Sequence, residues 1–135
     1  MAEKIILEIV TPYGTVFSGE VDEVNATGSE GDFGVLAGHA HYLTTLKIGS
    51  VYTKVGTTSD SFFVNRGFAE VGPEKMVVLA DSAEHAKDID VERAREARRR
   101  AEERLSKAEN IDFIRAEAAL QRALMRLLLV EGGRR

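Results

Sequence analysis

Apolar residues in the first two thirds of the chain occur in short runs, several of which alternate apolar and polar positions, with turn residues between them. Alternation with a period of two places apolar side chains on one face of an extended segment, as in half-buried strands. About eight to ten short strands without intervening helices favour a sandwich or a flattened barrel over a parallel doubly wound sheet. The predicted strands are 4–10, 14–17, 20–27, 35–36, 42–48, 50–56, 61–65, 67–71 and 76–80.

The pattern changes after 82–87, and the stretch 88–130 contains neither Gly nor Pro and is rich in Ala, Arg, Glu and Leu. These residues lose little side-chain freedom in a helix, so the stretch is predicted to be helical. A break at 107–110 divides it into two arms, and Asp90 and Asp112 are the predicted N-caps. Apolar residues recur every three or four positions in both arms and predict an antiparallel helical hairpin. The two seams are Val91, Ala94, Ala97, Ala101, Leu105 and Ala108 in the first arm, and Phe113, Ala116, Leu120, Ala123, Leu127 and Val130 in the second.

The first seam consists mostly of Ala, which buries little apolar surface at roughly 25 cal/mol per Å². We therefore expect a hairpin of low stability that is held only modestly by the strand-rich part, which makes it a mobile appendage. The second arm carries additional large apolar residues, which are expected to pack against another surface in at least one state. These residues are Ile114, Leu124, Met125, Leu128 and Leu129.

The net charge of the chain is −4, and its two parts differ in sign. Residues 1–87 hold twelve acidic and six basic side chains, whereas residues 88–135 hold ten acidic and twelve basic ones. The strand-rich part has no attraction for nucleic acid or anionic lipid, while the basic helical part could dock on an acidic protein surface or hold phosphates. The sequence has no Cys, no apolar run long enough for a membrane span and no signal-peptide pattern, so an intracellular soluble protein is expected.

Three motifs suggest chemistry, and a structural explanation is favoured for each. The loop at 28–34 (GSEGDFG) lacks the Lys and hydroxyl of a P-loop, and its carboxylates would repel phosphate, so a turn or a polar contact surface is expected. His39 and His41 could bind a metal from one face of a strand, but the sequence places no third ligand, so His39 is expected to be structural. The arginines at 93–104 alternate with glutamates and lack aromatic neighbours, which favours a solvated helix face over nucleic-acid binding. No nucleophile with a neighbouring base is evident, so catalysis is not predicted.

A fourth group of residues spans the hairpin. The end of the second arm returns beside the start of the first, so Asp90 and Arg93 would approach Arg122 and Arg126. Guanidinium groups can bind phosphates, and a carboxylate can accept hydrogen bonds from hydroxyl or amino groups. The alternative is an ordinary N-cap with an i,i+3 pair, and on the residues alone that alternative is favoured.

Several short segments, taken in their order and spacing, resemble the epsilon subunit of the bacterial F-type ATP synthase along essentially the whole chain. The segments are 17–19 (FSG), 28–31 (GSEG), 34–36 (GVL), 38–40 (GHA), 43–46 (LTTL), 67–71 (GFAEV), 78–84 (VLADSAE) and 89–94 (IDVERA). Ala37 and His41 stand where the family commonly has proline, which should alter only local turn rigidity. The resemblance implies an α+β fold, with an N-terminal β-sandwich of about ten short strands at 1–86 and a regulatory antiparallel two-helix hairpin at 87–135.

The resemblance further implies a non-catalytic subunit of the rotary central stalk of a proton-translocating ATP synthase, at the cytoplasmic face of the bacterial inner membrane. Its expected partners are the gamma subunit, the ring of c subunits and the alpha/beta catalytic head, without nucleic acid or lipid insertion. Glu30, Asp32 and His39 resemble the part that faces the membrane ring. The hairpin would fold on the sandwich or extend along gamma, where its basic residues meet an acidic motif of the beta subunit and block ATP hydrolysis.

Some members of the family bind ATP in the folded hairpin, which favours the folded state. Their motif implies ATP as a regulatory ligand here, with or without Mg²⁺, and no required cofactor. Two other classes stay open, namely a free-standing ATP-sensing module anchored by the sandwich and a metal-dependent enzyme that uses His39 and His41. The nucleotide-binding residues that the resemblance implies are Glu84, Ile89, Asp90, Arg93, Ala94, Arg100, Arg122 and Arg126.

Overall fold

The computed structural model describes residues 3–107 and 110–132. Within these residues seven strands come first, and a 3₁₀ turn at Ala86–Asp88 joins them to two helices. Helix α1 spans Val91–Leu105 and helix α2 spans Asn110–Val130. The strands are β1 (Ile5–Thr11), β2 (Gly14–Val21), β3 (Glu23–Gly28), β4 (Gly31–Val35), β5 (Tyr42–Val55), β6 (Thr58–Val71) and β7 (Lys75–His85).

The strands form one hydrogen-bonded sheet in the order β2-β1-β7-β6-β5-β3-β4. Neighbouring strands are antiparallel except for β1 and β7, which run parallel with Leu7 opposite Met76. Buried residues from both halves of this order, including Ile5 of β1 and Val24 of β3, belong to one hydrophobic core. Since a flat sheet could not bring these strands together, the sheet is folded over itself into the two layers of a sandwich. The predicted α+β fold is confirmed.

The described residues contain seven strands and not about ten, because several predicted strands are parts of longer ones. Segments 42–48 and 50–56 are one strand, β5, and segments 61–65 and 67–71 are one strand, β6. When a long strand crosses from one layer to the other, the positions that face the core change from odd to even or the reverse. In the sequence the alternation of apolar and polar residues is then interrupted, which looks like the end of a strand.

Glycine occupies two crowded positions in the irregular stretch of β5 and β6. A Cβ added to Gly67, whose φ is +154°, would lie 2.0 Å from the backbone oxygen of Leu79. A Cβ added to Gly49 would lie 2.5 Å from the Cβ of Thr27. A side chain at either position would therefore force the strands apart.

Helix α1 begins where the sequence predicts. Asp90 is its N-cap, since the Asp90 carboxylate accepts a hydrogen bond of 3.1 Å from the backbone N–H of Arg93. The predicted cap of α2 is wrong, because that helix begins at Asn110 and Asp112 lies within its first turn. A carboxylate there still interacts favourably with the positive end of the helix dipole. Ala108, the last residue predicted for the first seam, lies outside the described residues.

The two predicted seams meet in the hairpin through small residues. Ala94 and Ala101 of α1 and Ala116 and Ala123 of α2 are at most 3% exposed. Side chains of this size allow the axes of two packed helices to approach closely. The ends of the second seam are more open than predicted, and the exposed large residues there are Phe113 and Val130.

A second, smaller hydrophobic cluster attaches the hairpin to the sandwich. Phe63 of β6, Ile89 before α1 and Leu129 of α2 are buried in it, and we call these three residues the docking cluster. Of the large residues predicted to pack on another surface, Leu129 and, partly, Met125 do so here. The docking cluster is separate from the main core, so release of the hairpin would leave that core closed. The others stay exposed, namely Ile114, Leu124 and Leu128.

Candidate functional site

A cleft of about 430 Å³ lies between α1, α2 and the end of β7. This volume lies in the range of small-molecule sites, about 300–1,000 Å³. Its walls contain five arginines and three carboxylates, which gives a formal net charge of +2. The lining residues are Glu84, Asp88, Asp90, Arg93, Ala94, Ala97, Arg100, Ala101, Arg104, Ala119, Arg122 and Arg126.

One face of α1 provides half of this lining. Its residues follow the helical repeat, with Arg93, Ala97, Arg100 and Arg104 spaced three or four positions apart. The same face contains the buried alanines of the seam, so the cleft borders the line along which the two helices touch. The guanidinium groups of the two helices therefore share the cleft only when the hairpin is closed.

Glu84, Arg126 and Phe63 connect the cleft to the sandwich. Arg126 Nε donates a hydrogen bond of 2.6 Å to Glu84 Oε1, and the guanidinium carbon of Arg126 lies 4.2 Å from the centroid of the Phe63 ring. The side chains of Arg126 and Glu84 are 29% and 33% exposed, respectively, so this ion pair is partly desolvated. Such a pair, stacked on an aromatic ring, holds the guanidinium in one orientation. Within the described residues the terminal Nη groups of Arg126 make no hydrogen bond, so they can bind a ligand.

Arg122 lies one helical turn before Arg126 and forms no ion pair in the part of the chain that the structure describes. The pKa of Arg122 is lowered, first by burial and then by the like charges of Arg126 and Arg66. Since a guanidinium stays protonated in proteins, the docked hairpin keeps the energetic cost of holding the Arg122 charge partly buried and near two like charges. An anion bound between these groups would offset it.

The arginines on the outer face of α1 differ from those in the cleft. The hydrogen bond from Arg99 lowers the pKa of the exposed Glu96, and comparable pairs follow along this face. In contrast, Arg93 and Arg104 have no ion-pair partner among the described residues, and Arg100 approaches Glu96 only to 4.0 Å. The cleft therefore holds most of the arginines of α1 that are not already neutralised. The outer pairs are Arg95 with Glu92, Arg98 with Glu102, and Arg99 with Glu96 and Glu103.

The structure places seven of the eight predicted nucleotide-binding residues in this cleft. The exception is Ile89, which is 7% exposed and packs in the docking cluster. An extended residue between two cleft residues faces the opposite side, and Ile89 stands between Asp88 and Asp90, which both line the cleft. The prediction that Ile89 belongs to the site therefore has no support in the geometry.

Two charged residues of the cleft were not predicted. Arg104 continues the spacing of Arg93, Ala97 and Arg100, so the helical repeat of the sequence could have indicated it. Asp88 belongs to the 3₁₀ turn that connects the two parts of the chain, and no sequence pattern revealed this turn. His85 is the N-cap of the turn, and its Nδ1 accepts a hydrogen bond from a backbone N–H within it.

The residues expected to face a membrane ring lie on β4 and in the two connections that flank it. Glu30 is exposed in the turn between β3 and β4, and Asp32 is exposed on β4. His39 lies in the connection from β4 to β5, where its Nδ1 is 2.6 Å from the backbone oxygen of the next residue. Asp32 differs from the other two, because it lines a groove between the sandwich and α2. The described residues contain no group of three His, Asp or Glu that could hold a metal, including any around His41.

Neither helix, as far as the chain is described, combines the length and the apolar character that a membrane crossing requires.

The two parts of the fold match the two parts of a known class of protein. Residues 4–86 match the family model described as ATP synthase, Delta/Epsilon chain, beta-sandwich domain, and residues 87–131 match the corresponding long alpha-helix domain. The chain therefore belongs to the ATP synthase delta/epsilon chain family.

Within this family the chain is similar to proteins named ATP synthase epsilon chain. It is 54% identical to that of Desulforapulum autotrophicum over 133 residues, which cover 97% of this chain and 98% of the relative. It is 52% identical to that of Nitratidesulfovibrio vulgaris over 128 residues, which cover 94% and 96% of the two chains. These relatives are subunits of a larger enzyme.

Two solved structures share the fold. A chain in the cryo-EM structure of the Euglena gracilis mitochondrial ATP synthase, comprising OSCP, F1 and c-ring, has a TM-score of 0.82 at 24% identity, covering 95% of this chain and 81% of that one. A chain of the Tetrahymena thermophila mitochondrial ATP synthase, from its central stalk and c-ring, has a TM-score of 0.52 at 15% identity, covering 64% and 70%.

Proposed function

We propose that the chain is a non-catalytic rotor subunit in the central stalk of a proton-translocating ATP synthase. It couples the catalytic head to the membrane ring at the cytoplasmic face of the bacterial inner membrane, and its hairpin restrains ATP hydrolysis. Family membership and identities near one half to ATP synthase epsilon chains over almost the whole length support this role.

The outer face of the sandwich supports attachment to a protein partner. Phe68 of β6 stands directly opposite Leu79 of β7, and the two side chains are 54% and 53% exposed. Leu43 of β5, on the same face, is 69% exposed. Contiguous apolar residues on an exposed sheet face are typical of a protein interface. We assign this face to the gamma subunit, and the region of Glu30 and His39 to the ring of c subunits.

The attachment of the hairpin supports a two-state regulatory element. The docking cluster and the pair between Arg126 and Glu84 join α2 to the sandwich, and neither belongs to the main core. The hairpin can therefore leave without unfolding the sandwich, as a switch between folded and extended states requires. At the far end of the hairpin, Arg104, Lys107 and Arg115 border one depression together with Glu103 and Asp112. Its formal net charge of +1 suits contact with an acidic motif of the beta subunit.

The cleft supports ATP as the ligand that favours the folded state. Its arginines match a triphosphate in charge and in hydrogen-bond geometry, and its carboxylates can accept bonds from ribose hydroxyl or amino groups. The observation that carries this proposal is the contrast within α1, where the outer arginines are neutralised by glutamates and most of the inner ones are not. Because both helices line the cleft, bound ATP stabilises the closed hairpin by RT ln(1 + [ATP]/Kd).

Calorimetric titration of the purified protein with ATP tests this site. Arg122→Ala and Arg126→Ala should each weaken ATP binding about tenfold, because each removes a charged hydrogen-bond donor. Arg95→Ala is the matched control, since Arg95 lies on the outer face of the same hairpin and pairs with Glu92. Unchanged affinity in both cleft variants would exclude them from the site.

Removal of the hairpin tests the regulatory role. A chain truncated after Lys87 keeps all seven strands and should assemble into the synthase with a higher rate of ATP hydrolysis. Inhibition that persists in the truncated complex would mean that another element restrains hydrolysis. The alternative function, a free-standing ATP-sensing module, uses the same cleft, and it predicts that the chain purifies from cells without other synthase subunits.

A further inference from the structure

Arg66 occupies a strained position in the irregular stretch of β6. Its φ of 56° lies in the left-handed region, and among the described residues no other non-glycine residue has a positive φ. A side chain makes this conformation unfavourable, whereas glycine adopts it at no steric cost. Local strain of this kind is concentrated at sites that bind ligands or switch conformation, so the side chain of Arg66 calls for a functional explanation.

The register of the sheet places Arg66 beside α2. The pairing of β5 with β6 omits two residues on each strand, and counting between the flanking pairs sets Lys47 opposite Arg66. Lys47 lines the groove between the sandwich and α2 together with Gln121, and Arg122 follows Gln121 in the helix. The positive charge of Arg66 is also near enough to contribute to the lowered pKa of Arg122. Arg66 thus lies next to the cleft but is not one of the residues that line it.

Positive charge accumulates at this junction of the sandwich and the hairpin. Arg66 and Arg126 are both near enough to Arg122 for their like charges to act on it, and the one carboxylate paired with these arginines in the described part of the chain is Glu84, which binds Arg126. By the same counting Asp81 stands opposite Arg66 on β7, yet the two side chains form no ion pair. Docking of the hairpin therefore brings like charges together, and an anion at the junction would relieve their repulsion.

We propose that Arg66 is a ligand-binding residue contributed by the sandwich, which holds a phosphate-type anion together with Arg122 across this junction. The inference rests on the proposed ATP site, because the anion would be the terminal phosphates of a nucleotide in the cleft. A ligand held only by α1 and α2 would close the hairpin on itself. A ligand that also binds Arg66 ties the hairpin to the sandwich, so docking depends directly on the phosphate end of the ligand.

Charge variants of Arg66 in the full-length protein test the proposal. Arg66→Gln should weaken binding of both ATP and inorganic tripolyphosphate about tenfold in calorimetry, because one charged donor is lost. Arg66→Lys should recover part of this affinity, since it restores the charge without the planar guanidinium. Arg95→Gln, which removes an equivalent charge from the outer face of α1, should leave both affinities unchanged.

Arg66→Gly separates ligand binding from structure. Glycine relieves the left-handed strain, so the melting temperature of the ligand-free protein should rise while the affinity for both anions falls. Amide exchange of α2 in saturating ATP should also be faster than in wild type, because the tie to the sandwich is lost. A residue with a merely structural role would change stability and leave the affinity as it is.

The outcomes distinguish this inference from the proposed function. If Arg122→Ala weakens ATP binding and Arg66→Gln does not, Arg66 is excluded and the ATP site stands. If only tripolyphosphate binds and its affinity depends on Arg66, the anion site stands and the nucleotide is excluded. If wild type binds neither anion, both proposals are overturned.

Discussion

Leu129→Ala should release the hairpin while the sandwich stays folded. Leu129 is 3% exposed and packs with Phe63 and Ile89 in the docking cluster. Truncation of a buried leucine to alanine costs about 2–5 kcal/mol, and a small cluster between two parts of a chain can partly collapse, so about 2–3 kcal/mol is expected. Because 1.4 kcal/mol is a factor of ten, the ratio of docked to released hairpin should fall about 30- to 140-fold.

Hydrogen exchange measured by mass spectrometry, segment by segment, checks this prediction. Exchange should accelerate in α2 and around Phe63, while the strands of the main core keep their protection. Leu128→Ala is the matched control, because Leu128 is the preceding residue of α2 and is 42% exposed. Apparent ATP affinity should fall in proportion to the docked fraction once the released state predominates. Wild-type protection of α2 in Leu129→Ala would refute the idea that this cluster holds the hairpin.

Three further variants test other parts of the fold and the site. Asp90→Ser keeps a hydroxyl N-cap, so α1 should retain its stability within about 0.5 kcal/mol while calorimetry shows weaker ATP binding, and unchanged binding would remove the carboxylate from the site. Gly67→Ala should destabilise the sandwich by about 2–3 kcal/mol in urea unfolding, because the new Cβ meets the Leu79 backbone oxygen at 2.0 Å. Its control is Gly56→Ala, where φ is +60° and no atom lies within 4 Å, so only the backbone strain of about 1 kcal/mol is expected. Ala101→Leu should overpack the seam by about 1–3 kcal/mol and lower the helical circular dichroism, and full helicity would contradict close contact of α1 and α2.

The hairpin was predictable from the sequence because its determinants are local. Side chains three or four positions apart share a face of any helix, which explains why Ala94, Ala101, Ala116 and Ala123 are buried as predicted. The cap at Asp90 likewise depends only on the residues that follow it. Asp90, Arg93, Arg122 and Arg126 meet in the cleft by these local rules together with the antiparallel return of the second helix. The other three predicted residues of the cleft, Glu84, Ala94 and Arg100, came from the resemblance to the family.

The missed features depend on partners that are remote in the sequence. Ile89 lies between two aspartates in the sequence, and its burial becomes evident only when Phe63 and Leu129 approach it from β6 and α2. The sequence pattern around Gly49 and Gly67 is compatible both with a turn between two short strands and with a bend inside one long strand. Which of the two forms depends on how the two layers of the sandwich pack together.

The sequence by itself determined an α+β chain with a helical hairpin after its strands, and the start of the first helix. These properties are settled by residue type and by the period of the helix or strand. The tertiary structure alone decided that the strands number seven among the described residues, in which order they pair, and that the hairpin docks through three residues. It also placed Arg66, a strand residue with an unfavourable backbone conformation, beside Arg122. The physical reason is that charge repulsion and burial depend on distance in space, which periodicity along the chain does not specify.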